Sequence, residues 1–262
     1  MIRIASWNVN GIRSAYSKGL LSWIASESPD VLCLQETKAH PDQLTKDLLS
    51  PEDGRGRPYH VFWASAKRKG YSGVALLSRA EPDAVSFLGV PEFDDEGRVQ
   101  AATFGDLTIV SAYFPNSQEA GARLDYKLRF CAAIRAYCDD IRSRKGHVVV
   151  SGDYNIAHTP IDLARPKENE GNPGYLPEER AWMDSFTNAG YVDTFRALHP
   201  GERNRYSWWS YRGRARENNV GWRIDYHCVD PALAERISDA CILPEVTGSD
   251  HCPVLLELKE RP

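Results

Sequence analysis

A chain of 262 residues with 42% hydrophobic and 26% charged side chains has globular composition, which excludes a disordered, collagen-like or coiled-coil molecule. At this length folding buries roughly 70–75% of the unfolded surface, so neither a disulfide nor a structural metal is needed to hold a core. A net charge of −4 excludes a general polyanion binder, although basic clusters at Lys67–Lys69, at Arg203 and Arg205, and at Arg212, Arg214 and Arg216 face isolated acids set in apolar segments.

The first run, IRIASWNV (2–9), reads as a strand, with no basic region leading into an apolar stretch, so no secretion signal is expected. Further strand-length runs follow: DVLCLQE (30–36), YHVFWAS (59–65), SGVALLS (72–78), RVQAATF (98–104) and LTIVSAYF (107–114). HVVVSGDYN (147–155), RIDYHCV (223–229) and CPVLLELK (252–259) complete the set. Helical patterns interrupt them at 18–26, 41–48, 122–143 and 177–188; the long one sets Leu124, Leu128, Cys131 and Ile134 on one face as its core stripe. No apolar run reaches 18 residues, so no membrane helix is expected. The six cysteines form no C-x-x-C pair, which favours buried free thiols in a reducing, cytoplasmic setting. No linker or repeat divides residues 1–262, which predicts one domain of strands packed between helices. Two irregular stretches, 159–177 and 212–218, are candidate substrate loops.

The polar residues that end these strands carry the chemistry. WNVN supplies Asn8 and Asn10, CLQET supplies Glu36, and SAYFPN supplies Tyr113 and Asn116. Asp153 and Asn155 end VVVSGDYN, Asp225 lies in GWRIDY, and Asp250 and His251 lie in GSDH. Singly, each reads as a turn former or a solvated acid. Together they bring carboxylates, amides, a phenol and one imidazole to one rim of a rigid scaffold. Oxygen-rich, sulfur-free ligand sets suit Mg²⁺ or Mn²⁺ rather than zinc.

The blocks WNVNGIR, LQETK, GYSGVALLS, AYFPN, SGDYNIAH, YSWWSY, NVGWRIDY and GSDHCPV, in that order from Ser6 to Val254, closely resemble the exonuclease III class of apurinic/apyrimidinic (AP) endonucleases. GDYN and SDH are shared across the wider endonuclease/exonuclease/phosphatase superfamily, whereas NVGWRIDY with WNVNGIR and LQETK is specific to the DNA-repair branch. The resemblance implies a four-layer α/β sandwich, two packed β-sheets flanked by helices, as one catalytic domain. It implies Glu36 as the main Mg²⁺ ligand, with Mn²⁺ able to substitute, supported by Asn8 and Asp250. It gives Asp153 and Asn155 to the attacking water or the phosphate, His251 to the scissile phosphate, Asp225 to orienting that imidazole, and Tyr113 and Asn116 to phosphate contact or positioning of the leaving group. Which of Asp153 and His251 is the base stays open at this point.

By the same resemblance, Trp208, Trp222 and Ile224 wall a pocket for a flipped-out, base-free sugar, and Trp209 is a further candidate wall; Trp7, Trp23, Trp63 and Trp182 read as core. Asn10, Arg13, Lys38, Lys67, Tyr71, Asn169 and Asn172 fall in blocks that touch the DNA backbone. Arg212, Arg214 and Arg216 occupy a variable loop, either flanking a groove or simply solvated. The chain starts close to its first strand, where some animal relatives carry an extra region, and Glu119 stands where some relatives place a DNA-inserting base. The implied substrate is duplex DNA with abasic sites or blocked 3′ ends. The implied molecule is a monomer without membrane contact, nucleoid-associated if bacterial. The alternatives are a superfamily phosphatase acting on phosphoinositides or sphingolipids, and a catalytically dead relative with a regulatory role on nucleic acid. The first leaves NVGWRIDY unexplained and the second predicts eroded ligands, which are all present.

Overall fold

The structure is a computed structural model describing residues 1–260. All nine apolar runs become strands: β1 (Ile2–Asn8), β2 (Val31–Gln35), β3 (His60–Ala64), β4 (Val74–Ser78), β6 (Val99–Phe104), β7 (Leu107–Tyr113), β8 (His147–Asp153), β12 (Asp225–Val229) and β14 (Val254–Leu258). Five more escaped the sequence reading: β5 (Ala84–Ser86), β9 (Val192–Asp193), β10 (Trp208–Trp209), β11 (Gly221–Trp222) and β13 (Ile237–Ile242). Four of these are too short to show alternation. A register shift between Ile237 and Asp239 breaks it in β13, which is an edge strand.

The long strands pair into two six-stranded sheets, ordered β13-β14-β1-β2-β4-β3 and β5-β6-β7-β8-β12-β9. Each sheet has one parallel pair at its centre, β1 with β2 and β7 with β8, and the other neighbours are antiparallel. A parallel pair needs a crossover. In the first sheet α1 (Ile12–Ser17) and α2 (Leu20–Glu27) supply it, and in the second α5 (Leu124–Ser143) does. Short helices α3 (Lys46–Leu49), α4 (Pro91–Asp94) and α7 (Thr194–Leu198), and the longer α6 (Pro177–Asn188), complete the outer layers.

Alternation along the strands decides what faces where. Ala5, Trp7, Leu32 and Leu34 point outward onto Ile12, Leu20 and Ile24 of α1 and α2. Val110, Ala112, Val148 and Val150 point outward onto Phe130, Ile134, Cys138 and Met183 of α5 and α6. Ile4, Cys33, Ile109, Val149 and Leu256 meet between the sheets. The result is the expected α–β–β–α sandwich.

Two helical expectations are corrected. The 41–48 segment splits into a 3₁₀ turn at Pro41–Gln43 and the single turn α3, because Thr45 between them is extended. In α5 the core stripe is rotated: Leu124 and Leu128 are only half-buried, while Lys127 and Phe130 lie fully inside. A lysine can take that place because a carboxylate, Glu179 of α6, meets it there.

Candidate active site

The site follows from period two. On the inner faces, Ile4 leads by steps of two to Ser6 and Asn8, Ile109 to Ser111 and Tyr113, Val149 to Ser151 and Asp153, and Val229 to His227 and Asp225. Each strand thus runs from an apolar end through a polar middle to a functional rim. The middle layer is hydrogen-bonded across the sheets: Gln35 Nε2 donates to Ser6 Oγ at 3.1 Å and to Ser111 Oγ at 3.4 Å. His227 contacts Ser151 Oγ at 2.7 Å through Nδ1 and the Val254 carbonyl at 3.1 Å through Nε2.

At the rim, Glu36, Asp153 and His251 each offer a ligand atom, all within 4.8 Å of one another. Asn8 Nδ2 donates to Glu36 Oε1 at 2.9 Å and to Asp153 Oδ2 at 2.8 Å, bridging the two sheets. Its oxygen accepts the Asn10 N–H at 2.9 Å. Asp250 lies outside that three-residue cluster, its oxygens accepting from Asn10, Ser249 and the Trp208 indole. Asn10, Glu36, Lys38 and Asn155 all have φ between +44° and +52°, a costly backbone for non-glycine residues that recurs at functional sites.

Electrostatics divide the two candidate bases. Burial opposes charge on His251, but Asp225, bonded to Nδ1 at 2.9 Å, together with Asp153 and Asp250 pushes the imidazole up to about 10. Burial also raises Asp153, which rises to about 7 with Asp225 and Glu36 adding to the effect and His251 opposing it. Glu36 is half-buried, which raises it, yet Lys38, Asn8 and His251 hold its carboxyl below its ordinary value. Burial and the nearby Glu36 and Asp153 carboxylates push the Tyr113 phenol well up, so it stays a proton donor. The crowded carboxylates of Glu36 and Asp153 beside the His251 imidazole make an oxygen-rich donor set that fits a hard divalent cation at this rim.

Beside the carboxylates lies a cleft of about 650 Å³, including space open to solvent, walled by Trp208, Trp222 and Ile224. The two indoles meet edge-on, centroids 6.2 Å apart, and Trp208 Nε1 donates to Asp250 at 3.0 Å. Trp209 is corrected to core: it is 3% exposed, its indole donates to Asn219, and Arg216 stacks on it. Neighbouring strand residues point to opposite faces, which separates Trp208 from Trp209.

The candidate backbone contacts spread around this cleft. Asn116 lies within it, donating to Asn155 at 3.2 Å. Lys38 lies at its edge, 2.7 Å from Glu36 and bonded to Asn10. Arg13 is exposed, and Lys67 is exposed but paired with Asp95. The Tyr71 phenol is held by Arg98 and Arg123, and Asn169 and Asn172 bond within their own loop. Arg216 is a structural tie rather than a solvated surface residue, donating to the carbonyls of Pro244, Val246 and Ser249. Sequence reasoning also missed Arg98, 1% exposed with its guanidinium 4.9 Å from the Tyr113 ring centre, and Asp162, which anchors the 159–177 loop on Arg196 and Arg223.

The Endonuclease/Exonuclease/phosphatase family pattern matches residues 5–251. An exodeoxyribonuclease of Bacillus subtilis (strain 168) is 44% identical over 257 residues, 97% of this chain and 98% of that protein. The DNA repair nuclease APEX1 of Danio rerio is 43% identical over 259 residues, 98% of this chain and 82% of that protein. An AP endonuclease from Archaeoglobus fulgidus shares the fold at a TM-score of 0.84 and 30% identity, over 99% of this chain and 100% of that one. Matched nearly end to end in sequence and in fold, the chain belongs to the endonuclease/exonuclease/phosphatase family.

Proposed function

We propose that the chain is a Mg²⁺-dependent DNA-repair phosphodiesterase that incises duplex DNA 5′ to abasic sites and leaves a 3′-hydroxyl. Trimming of blocked 3′ ends and 3′→5′ exonuclease action would use the same centre, within one catalytic domain spanning 1–262. One observation carries the reading: the Glu36–Asp153–His251 cluster adjoins, through Glu36 and His251, the cleft walled by Trp208, Trp222 and Ile224. An abasic sugar has no base to unstack, so its extrusion costs less than the few kcal/mol of an ordinary nucleotide. The aromatic walls then exclude a sugar that still carries its base.

In this mechanism Asp153 is the general base. Its carboxylate lies in the same cluster as Glu36 and His251 and is held by Asn8 and Asn155, and burial raises its proton affinity above that of an ordinary aspartate. The water's proton passes to Asp153 as its oxygen attacks phosphorus; the bond from phosphorus to the 3′ oxygen breaks with its electron pair on that oxygen, which takes a proton from solvent water to leave as the 3′-hydroxyl. His251 remains an imidazolium held by Asp225 and donates through Nε2 to the phosphate. Asn155 Nδ2, 3.1 Å from Asp153 Oδ2, orients that carboxylate, and Tyr113 and Asn116 contact the phosphate oxygens. A Mg²⁺ ion held at Glu36, with Mn²⁺ able to replace it, would neutralise charge growing on the phosphate. One general base supplies only about 10²–10⁴ of the acceleration such a slow hydrolysis needs, hence the number of participants.

Lys38, Arg13, Lys67, Tyr71, Asn169 and Asn172 would track the duplex backbone without reading sequence. No described helix is long and apolar enough to cross a membrane. The free thiols, five of six buried, accord with a reducing compartment that holds DNA. The test is cleavage of a duplex carrying one abasic analogue, with Mg²⁺ and with a chelator, beside Asp153→Ala. The expected result is one metal-dependent cut 5′ to the lesion, lost in the variant. An intact duplex with both Mg²⁺ and Mn²⁺ would overturn the reading.

A further inference from the structure

Under the Asn116–Asn155 side of the cleft lies an ion pair with no part in the steps above. Lys127 of α5 and Glu179 of α6 are 2.7 Å apart and both 0% exposed. Taking two charges out of water is costly, and replacing such a pair by uncharged side chains is often neutral or stabilising. Fold stability is therefore a weak reason for its presence, and its contacts suggest a stronger one.

Lys127 Nζ also donates to the Asn155 carbonyl at 2.6 Å. Glu179 Oε1 accepts from Ser117 Oγ at 2.5 Å and Oε2 from the Leu176 N–H at 2.9 Å. Asn155 has φ +51°, a left-handed backbone that an L residue adopts only when its surroundings hold it. The ammonium on its carbonyl is such a hold, applied from the side away from the cleft. The Asn155 side chain then reaches forward, Nδ2 to Asp153 Oδ2 at 3.1 Å and to the Phe114 carbonyl at 3.1 Å, with Oδ1 accepting from Asn116. Ser117, bound by Glu179, directly follows Asn116. One buried pair of charges thus grips both asparagines from behind, and through Asn155 it sets the aim of the Asp153 carboxylate.

We propose that Lys127 and Glu179 are positioning residues for the phosphodiesterase reaction, fixing Asn155 and Asn116 and through them Asp153. The inference rests on the function proposed above. A misplacement of about 1 Å in a reacting group can cost on the order of 10²-fold in rate, so a small relaxation of this loop is enough to be seen.

The test is the double variant Lys127→Met with Glu179→Gln. It leaves no orphaned charge, and the new amide oxygen can still accept from Ser117 or Leu176. Cleavage is followed on an abasic duplex and on a 3′-phosphorylated duplex, beside thermal melts. The expected result is a folded protein with a Tm within a few degrees of wild type. Its kcat should fall about tenfold or more, with KM changed less than about threefold. Ser117→Ala, which cuts only the tether to the Asn116 segment, should lower kcat several-fold with Tm unchanged. Wild-type kcat in a folded double variant overturns the inference, as does wild-type kcat in Ser117→Ala should the double variant not fold. If wild type cleaves only the 3′-phosphate, abasic incision falls, and the same kcat comparison on that substrate still judges the pair.

Discussion

Asp225 Oδ2 accepts a hydrogen bond of 2.9 Å from His251 Nδ1, which leaves Nε2 facing the cleft, 3.9 Å from Asp153. The carboxylate both fixes the ring and keeps it charged. Asp225→Asn preserves size but offers an amide where the ring needs an anion, so the imidazolium loses its main support. Single-turnover incision of an abasic duplex should slow by up to about 10⁴-fold, the loss found when the carboxylate orienting a catalytic histidine becomes an amide. Duplex binding, read by fluorescence anisotropy, should change little.

Gly174 lines the cleft beside Trp222 with φ +88°, and a Cβ there would come within 3.2 Å of both the Trp222 ring and the Asn155 carbonyl. Gly174→Ala meets a backbone cost of roughly 1–2 kcal/mol and displaces the indole from its place in the cleft wall. The variant should melt a few degrees lower, and KM for abasic duplex should rise more than kcat falls. An unchanged KM would mean that the wall is not a substrate contact.

His227, buried between the sheets, is depressed from its ordinary value to about 4, chiefly because burial disfavours its charged form. The unfolded chain therefore takes up this proton below about pH 6.5, while the folded protein resists until about pH 4. Stability contributed by the neutral ring is complete above pH 6.5 and is lost as pH falls through that window, by about 3 kcal/mol in all. His227→Gln can still donate to Val254 and does not titrate. Denaturant melts between pH 7 and pH 4 should show a flatter acid limb for the variant.

Metal chemistry and folding should separate. The three apolar clusters that pack the sheets and helices contain none of the rim ligands. A chelator should abolish incision while leaving the far-ultraviolet circular dichroism intact. Mg²⁺ at a hundred times its dissociation constant should stabilise the fold by about 2.7 kcal/mol, read as a rise in Tm. Glu36→Gln should remove most of that rise.

The rim was legible because a polar residue ending an apolar strand stands out, and because period two then forces it inward. Asp153 and Asp225 could be placed this way from Val149 and Val229 alone. The residues behind the rim were not legible, since their partners lie far off in sequence. Lys127 meets a carboxylate 52 residues away and Arg223 one 61 residues away, so local pattern gives no hint that either charge is buried. Arg216 read as either groove-flanking or solvated because its partners are backbone carbonyls, which no sequence pattern marks. Trp208 and Trp209 share one composition and differ only in which side of a two-residue strand they occupy.

Each sheet contributes one parallel pair, and in each the strands' C-terminal ends stop at the rim. Asn8 and Glu36 come from the first sheet, Tyr113 and Asp153 from the second. The centre is therefore a caliper whose jaws are mounted on separate plates, its opening set by how the plates sit on each other. The Asn8–Asp153, Gln35–Ser111 and His227–Val254 bonds act as rivets through that seam. Heat or denaturant that lets the plates slide by a fraction of a residue will spoil the gauge while every helix and strand survives, so chemistry is the first property this architecture gives up.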